Sequence, residues 1–137
     1  MQFHRSLAWV LLPLLLLGCG KSGHKVVSVS GKVTLNKKPL ANADITFSPT
    51  EPGPNNSPGL ESSARTDEQG RYSLEVIQDK RAGAVVGAHK VRISQIERGA
   101  SLINRVPRAY NQNTKLTFTV PAEGSKEANF DLSSEGN

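Results

Sequence analysis

From Val27 onward, apolar and polar residues alternate one by one. Val27, Val29, Gly31, Val33 and Leu35 are separated by Ser28, Ser30, Lys32 and Thr34. Past the turn Asn36-Lys37-Lys38-Pro39, Ala43, Ile45 and Phe47 alternate with Asp44, Thr46 and Ser48. The same period returns at Tyr72-Leu74-Val76, Val91-Ile93, Leu116-Phe118-Val120 and Ala128-Phe130-Leu132. Period two marks strands that bury one face and wet the other. Six such segments, and a seventh over Ser63–Thr66, lie between turn-forming stretches, with no sustained helical period among them. The pattern predicts an all-β, antiparallel sandwich or barrel of about seven strands. A sheet of this kind has edge strands able to accept a further strand.

The breaks in the pattern carry their own information. In "TDEQGRY", Asp67 is placed to cap backbone N–H groups two residues on, and Gly70 supplies a cheap positive φ. A tight hairpin turn is expected there. Asp67 and Glu68 alone lack the further oxygen ligands that calcium requires. "SPTEPGPNNSPGLESS", residues 48–63, holds four prolines and two glycines and reads as a surface loop. A second long connection, residues 97–113, carries Arg98, Arg105, Arg108 and Tyr110. Loops of this length are uncommon unless they serve a function or are loose, so a partner contact stands beside the plainer reading of a solvated excursion. These four residues form the candidate ligand-contact loop, and a pocket between the two loops would suit a small, anionic molecule.

Before Val27 the chain is of another kind. Residues 1–6 carry one firm positive charge, Arg5, and Leu7–Leu17 are apolar throughout. As a helix that run reaches roughly 16 Å, about half of a bilayer core. A basic start, a short apolar centre and a small residue before a cut site describe an export signal. The chain's single cysteine, Cys19, follows Leu16-Leu17-Gly18 directly. This stretch resembles the lipobox of bacterial lipoproteins. The resemblance implies cleavage between Gly18 and Cys19, a diacylglyceryl group on the Cys19 sulfur and an acyl chain, such as palmitate, on its new amino group. One acyl chain anchors only marginally, at about 0.8 kcal/mol per buried methylene, so two or three give stable retention. Gly20, where inner-membrane lipoproteins carry Asp, implies the outer membrane in a two-membrane bacterium. The expected organisation is a signal peptide 1–18, a lipidated cysteine and tether 19–26, a domain 27–133 and a tail 134–137.

Composition narrows the partners. The 137 residues carry a net charge of +5, and +4 once Arg5 leaves with the leader. Lys25, Lys32, Lys37, Lys38, Arg65, Lys90 and Arg92 are scattered among twelve acids, with no aromatic residue inside a basic run to stack a base. That is not a nucleic-acid surface. One cysteine excludes an internal disulfide and any multi-cysteine zinc site.

"SGKVTLNKKPLANADITF" followed by "TDEQGRYSL" resembles the carboxypeptidase regulatory-like domain, a transthyretin-like β-sandwich. Gly31, Val33, Pro39, Leu40, Ala43, Ile45 and Phe47 match, then Thr66, Asp67, Gly70 and Tyr72. "GAHKVRIS", "VPRAYN" and "LTFTVPAEGSKEANFDL" look like the closing strands of a subgroup found in small bacterial lipoproteins. The family's usual Asn-Gly turn is Asn36-Lys37 here, which asks Lys37 to hold a left-handed conformation. The resemblance implies a non-catalytic, accessory module without cofactor or metal. Two catalytic relatives share this architecture. Ring-cleaving dioxygenases bind iron with two Tyr and two His, a set numerically matched by Tyr72, Tyr110, His24 and His89. Their closely spaced His pair is absent around "AHKV", and His89 reads as structural or solvated. Hydroxyisourate hydrolases end in Tyr-Arg-Gly-Ser, whereas this chain ends "DLSSEGN". The expected role is a membrane-anchored binding or structural module, contacting lipid through Cys19 and an envelope protein or polysaccharide through its body. The alternative is a small-molecule carrier or sensor using the two long loops.

Overall fold

A computed structural model describes residues 23–57, 59–97 and 103–135. Gly18, Cys19 and Arg98 lie outside the described residues. Chain order runs β1 (Val26–Val27), β2 (Ser30–Leu35), β3 (Lys38–Pro39), β4 (Asp44–Pro49) and β5 (Ser62–Arg65). It continues through β6 (Arg71–Ser73), β7 (Glu75–Val76), β8 (Ala84–Val85) and β9 (Gly87–Ser94). The last four are β10 (Ile96–Glu97), β11 (Ile103–Asn104), β12 (Thr117–Val120) and β13 (Phe130–Leu132). Two single 3-10 turns, Pro54–Asn56 and Arg108–Tyr110, are the only helical geometry among the described residues.

Five strands form one sheet in the order β12-β9-β4-β5-β7, antiparallel throughout. In the other sheet, β2 lies between β13 on one side and β3 and β6 on the other. The expectation of antiparallel pairing fails at two places among the described residues: β13 runs parallel to β2, and Val29 makes a parallel bridge with Ser125. The chain reaches β13 from β12 by crossing between the sheets, and this crossing brings it in along the direction of β2.

Alternation along each strand becomes burial. Val29 and Val33, Ala43, Ile45 and Phe47, Tyr72, Leu74 and Val76, and Phe130 and Leu132 all point inward. Side chains of both sheets form one core. Phe47, fully buried, sits 5.8 Å from Phe118 and 6.0 Å from Phe130, so rings from β4, β12 and β13 interlock across the layers. On the opposite side one segment closes the body. Residues 71–73 pair with β2, Leu74 donates to Val29 O, and residues 75–76 pair with β5. The chain changes sheet within six residues.

The turn after β2 keeps Asn36 at φ 50° and Lys37 at φ 66°, the two left-handed positions of a type I′ hairpin. Lysine therefore takes the place that glycine would fill without strain. The proline-rich stretch 48–63 is shorter as a loop than expected. Ser48 and Pro49 continue β4 opposite Lys90 and His89, and Ser62 and Ser63 belong to β5. Pro49 is tolerated because its nitrogen faces the side where β5 has already ended. Residues 97–113 likewise are not all loop: β10 and β11 form a hairpin. At the N-terminus the body starts before Val27. Val26 pairs with Val85, Lys25 O accepts from Val86 N, and His24 O accepts from Arg81 Nη1 at 3.2 Å. The expected tether 19–26 thus loses its last three residues to the fold. At the other end Ser134 bonds to Asn36, which ties part of the expected tail 134–137 to the body.

Gly31 is the tightest point of the second sheet. A Cβ there would stand 2.0 Å from Ala128 O, the same carbonyl that accepts the buried Tyr72 hydroxyl. Gly31→Ala should therefore push two strands apart and lose about 2–3 kcal/mol of stability. Tyr72→Phe, which leaves Ala128 O unsatisfied without a clash, should lose about 1–2 kcal/mol. Chemical denaturation of both variants checks the order.

Candidate functional site

The Asp67 turn forms a charge-assisted cap. Asp67 Oδ1 accepts from the amides of Gln69 and Arg71, each at 2.9 Å, and Oδ2 accepts from Arg71 Nε at 3.1 Å. The Arg71 amide above all holds the Asp67 carboxyl below the usual carboxylate range. Gly70 has φ +74°, and a Cβ on it would stand 2.4 Å from Val33 O. The turn is thereby locked against β2.

The turn also borders an open groove of about 620 Å³ on the outer face of the second sheet. Lys32, Arg65, Arg71 and Lys126 rim it, and Ser30, Ser73 and Asn129 supply polar lining. Asp67 is the one acid in that lining. Lys32 and Arg71 are register partners on β2 and β6. Like charges directly opposite on a sheet destabilise it, and Asp67 offsets only the Arg71 half. Arg65 pairs with Asp44 at 3.6 Å. Lys32 and Lys126 form no ion pair among the described residues. Such an arrangement attracts a carboxylate, phosphate or sulfate group by exposed, salt-screened contacts.

The candidate ligand-contact loop is assembled differently from the expectation. Tyr110 is half-buried, its hydroxyl accepts from Ser133 N at 3.2 Å, and it lines a pocket of about 390 Å³ with Ala109, Asn113, Lys115 and Leu116. Neither Arg105 nor Arg108 lines that pocket. Asp44 opposes Ser94 and Pro49 opposes His89, so the chain leaves β4 after Pro49 at one end of the β4–β9 pair and leaves β9 after Ser94 at the other. Where the two long stretches do come together among the described residues, Ser48 shares a small pocket of about 150 Å³ with Asn111 and Gln112, beside Lys90 and Arg92 and without Arg105, Arg108 or Tyr110. The proline-rich loop instead packs on His24 at a separate pocket of about 220 Å³.

The four residues that could number an iron set occupy four separate settings. His24 lies against Ser57, Tyr72 donates to Ala128 O, Tyr110 accepts from Ser133 N, and His89 is 1% exposed in the core. His89 Nδ1 donates to Gly87 O at 2.9 Å, its ring lies 5.7 Å from Phe47, and Nε2 has no partner. Burial pushes the imidazole below its ordinary 6.5, against a smaller opposing effect from the Gly87 bond. Burial likewise raises the Tyr72 hydroxyl well above the usual tyrosine range. Both groups are neutral structural members of the core at pH 7.

No family model, curated protein or solved structure matches the chain.

His89 generates a pH dependence with a definite sign. Its pKa is lower folded than unfolded, so below about pH 6.5 the unfolded chain binds more protons and stability falls with acidification. Between pH 7 and 8 this contribution is flat. Thermal melts from pH 8 to 5 should show the decline beginning near 6.5, and His89→Phe should reduce the slope between pH 5 and 7.

Proposed function

We propose that this chain is an exported lipoprotein, held to the bacterial envelope by acylated Cys19, whose body is a non-catalytic binding or structural module. The observation that carries the reading is the placement of the lone cysteine. Cys19 directly follows the apolar leader, and four residues separate it from His24, which is already hydrogen-bonded to the folded body through Arg81. A two-layer all-β body of this size, with the Asn36-Lys37 and Asp67–Gly70 turns in place, supports a transthyretin-like sandwich of the carboxypeptidase regulatory-like kind. Its contact surface is the cation-rimmed groove around Lys32 and Arg71, suited to an acidic polysaccharide or an acidic patch of an envelope protein. The outer membrane is the proposed location, on the strength of Gly20.

Cys19→Ala should abolish incorporation of labelled palmitate and move the protein out of the membrane fraction, as read by autoradiography and fractionation. Unchanged labelling would refute the anchor. For the groove, Lys32→Glu combined with Lys126→Glu should weaken retention on immobilised polygalacturonate. Raising the salt concentration should weaken retention of the wild type in the same assay.

A further inference from the structure

The two ends of the five-stranded sheet are treated differently. At β7 the edge is covered, because Glu75 bridges to Ala82 and the turn 77–81 folds back on Val76. At β12 nothing covers it among the described residues. Val91 N donates to Leu116 O, so the backbone groups of Leu116, Phe118 and Val120 face β9. Those of Thr117 and Thr119 then face outward, and neither residue has a backbone partner on that side. Natural edges are usually blunted by charge, bulge or proline. Residues 116–120 carry no charge and no bulge, and proline enters only at Pro121.

The sequence of this edge reads nearly the same in both directions: Leu116-Thr117-Phe118-Thr119-Val120. We propose that β12 pairs antiparallel with β12 of a second copy, about a two-fold axis through Phe118. In that register Thr117 and Thr119 of opposite copies exchange both of their backbone hydrogen bonds. Their side chains make Thr–Thr pairs on the outer face, a favourable cross-strand combination. Leu116 meets Val120 on the inner face, and the two Phe118 rings meet at the axis. Phe118 is half-buried and already lies 6.2 Å from Phe130, so the second ring extends an existing aromatic cluster. Pro121 would oppose Lys115 and, lacking an N–H, ends the ladder there. The contact is isologous, closes on itself and leaves no free β12 edge. An unrelated extended peptide would satisfy the backbone groups equally well. It would not account for the symmetry of the side chains.

Cysteine cross-linking in membranes of cells producing the full-length protein tests the register. Thr117→Cys and Thr119→Cys chains, tagged differently and co-expressed, should form a mixed disulfide dimer, because directly opposed hydrogen-bonded residues lie about 5.5 Å apart. Thr117→Cys alone should not, and the wild type controls for Cys19. Thr119→Pro removes only an outward N–H. It should convert the detergent-extracted protein from dimer to monomer by analytical ultracentrifugation, with its strand circular dichroism retained. A wild type that sediments as a monomer, cross-links that ignore register, or cross-links found only to a different polypeptide would each overturn the proposal. These readouts are separate from palmitate labelling, so the anchor and the dimer stand or fall independently.

Discussion

Phe47 is the contact on which the two layers depend. It is fully buried at the middle of β4 and touches rings from β9, β12 and β13. Aromatic pairs of this kind add about 0.5–1.5 kcal/mol each beyond their buried area. Neither sheet is stable alone, since each has one apolar face to hide. The interlock at Phe47 makes hiding one face the same event as hiding the other. The closing segment 71–76 does the same on the far side with backbone rather than rings, passing hydrogen bonds from β2 to β5 through Leu74.

Most of the strand content was legible because burial on one face leaves a period that survives without any partner strand in view. Ala43, Ile45 and Phe47, or Phe130 and Leu132, announce their side of the sheet in one dimension. Even the strand expected at Ser63–Thr66, poor in apolar residues, is marked by its position between turns, and it lies one residue earlier, at Ser62–Arg65. His89 shows where type and parity disagree. It shares the inward parity of Val91 and Ile93, and that parity, not its polarity, predicts its place in the core. The ends of the proline-rich stretch conceal strand residues for a similar reason. Whether a proline breaks a ladder depends on which side its nitrogen faces, and that depends on where the neighbouring strand stops. Only pairing reveals it.

The groove was less legible than the fold. Asp67 and Gly70 stood out through turn chemistry, but Lys32, Arg65 and Lys126 come from separate stretches of chain and share no local pattern with them. Their assembly depends on β6 lying beside β2, a long-range pairing. The arginine-rich connection was conspicuous in sequence because its cations are close along the chain. In space Tyr110 is occupied by Ser133, and the arginines Arg105 and Arg108 lie apart from its pocket. Proximity along a loop is a poor guide to a site when the loop contains a hairpin of its own.

The bond that ties His24 to the body bears on what this molecule can meet. From Cys19 to His24 the extended chain spans at most about 18 Å, less than the thickness of the bilayer it would be rooted in. If Cys19 is acylated as proposed, a body on so short a leash would stay at one surface and not explore the space between envelope layers. Copies rooted in the same leaflet would share a thin film instead of a volume, and encounters between them would be correspondingly frequent. Under that confinement even a short, uncharged strand edge would become a meeting place.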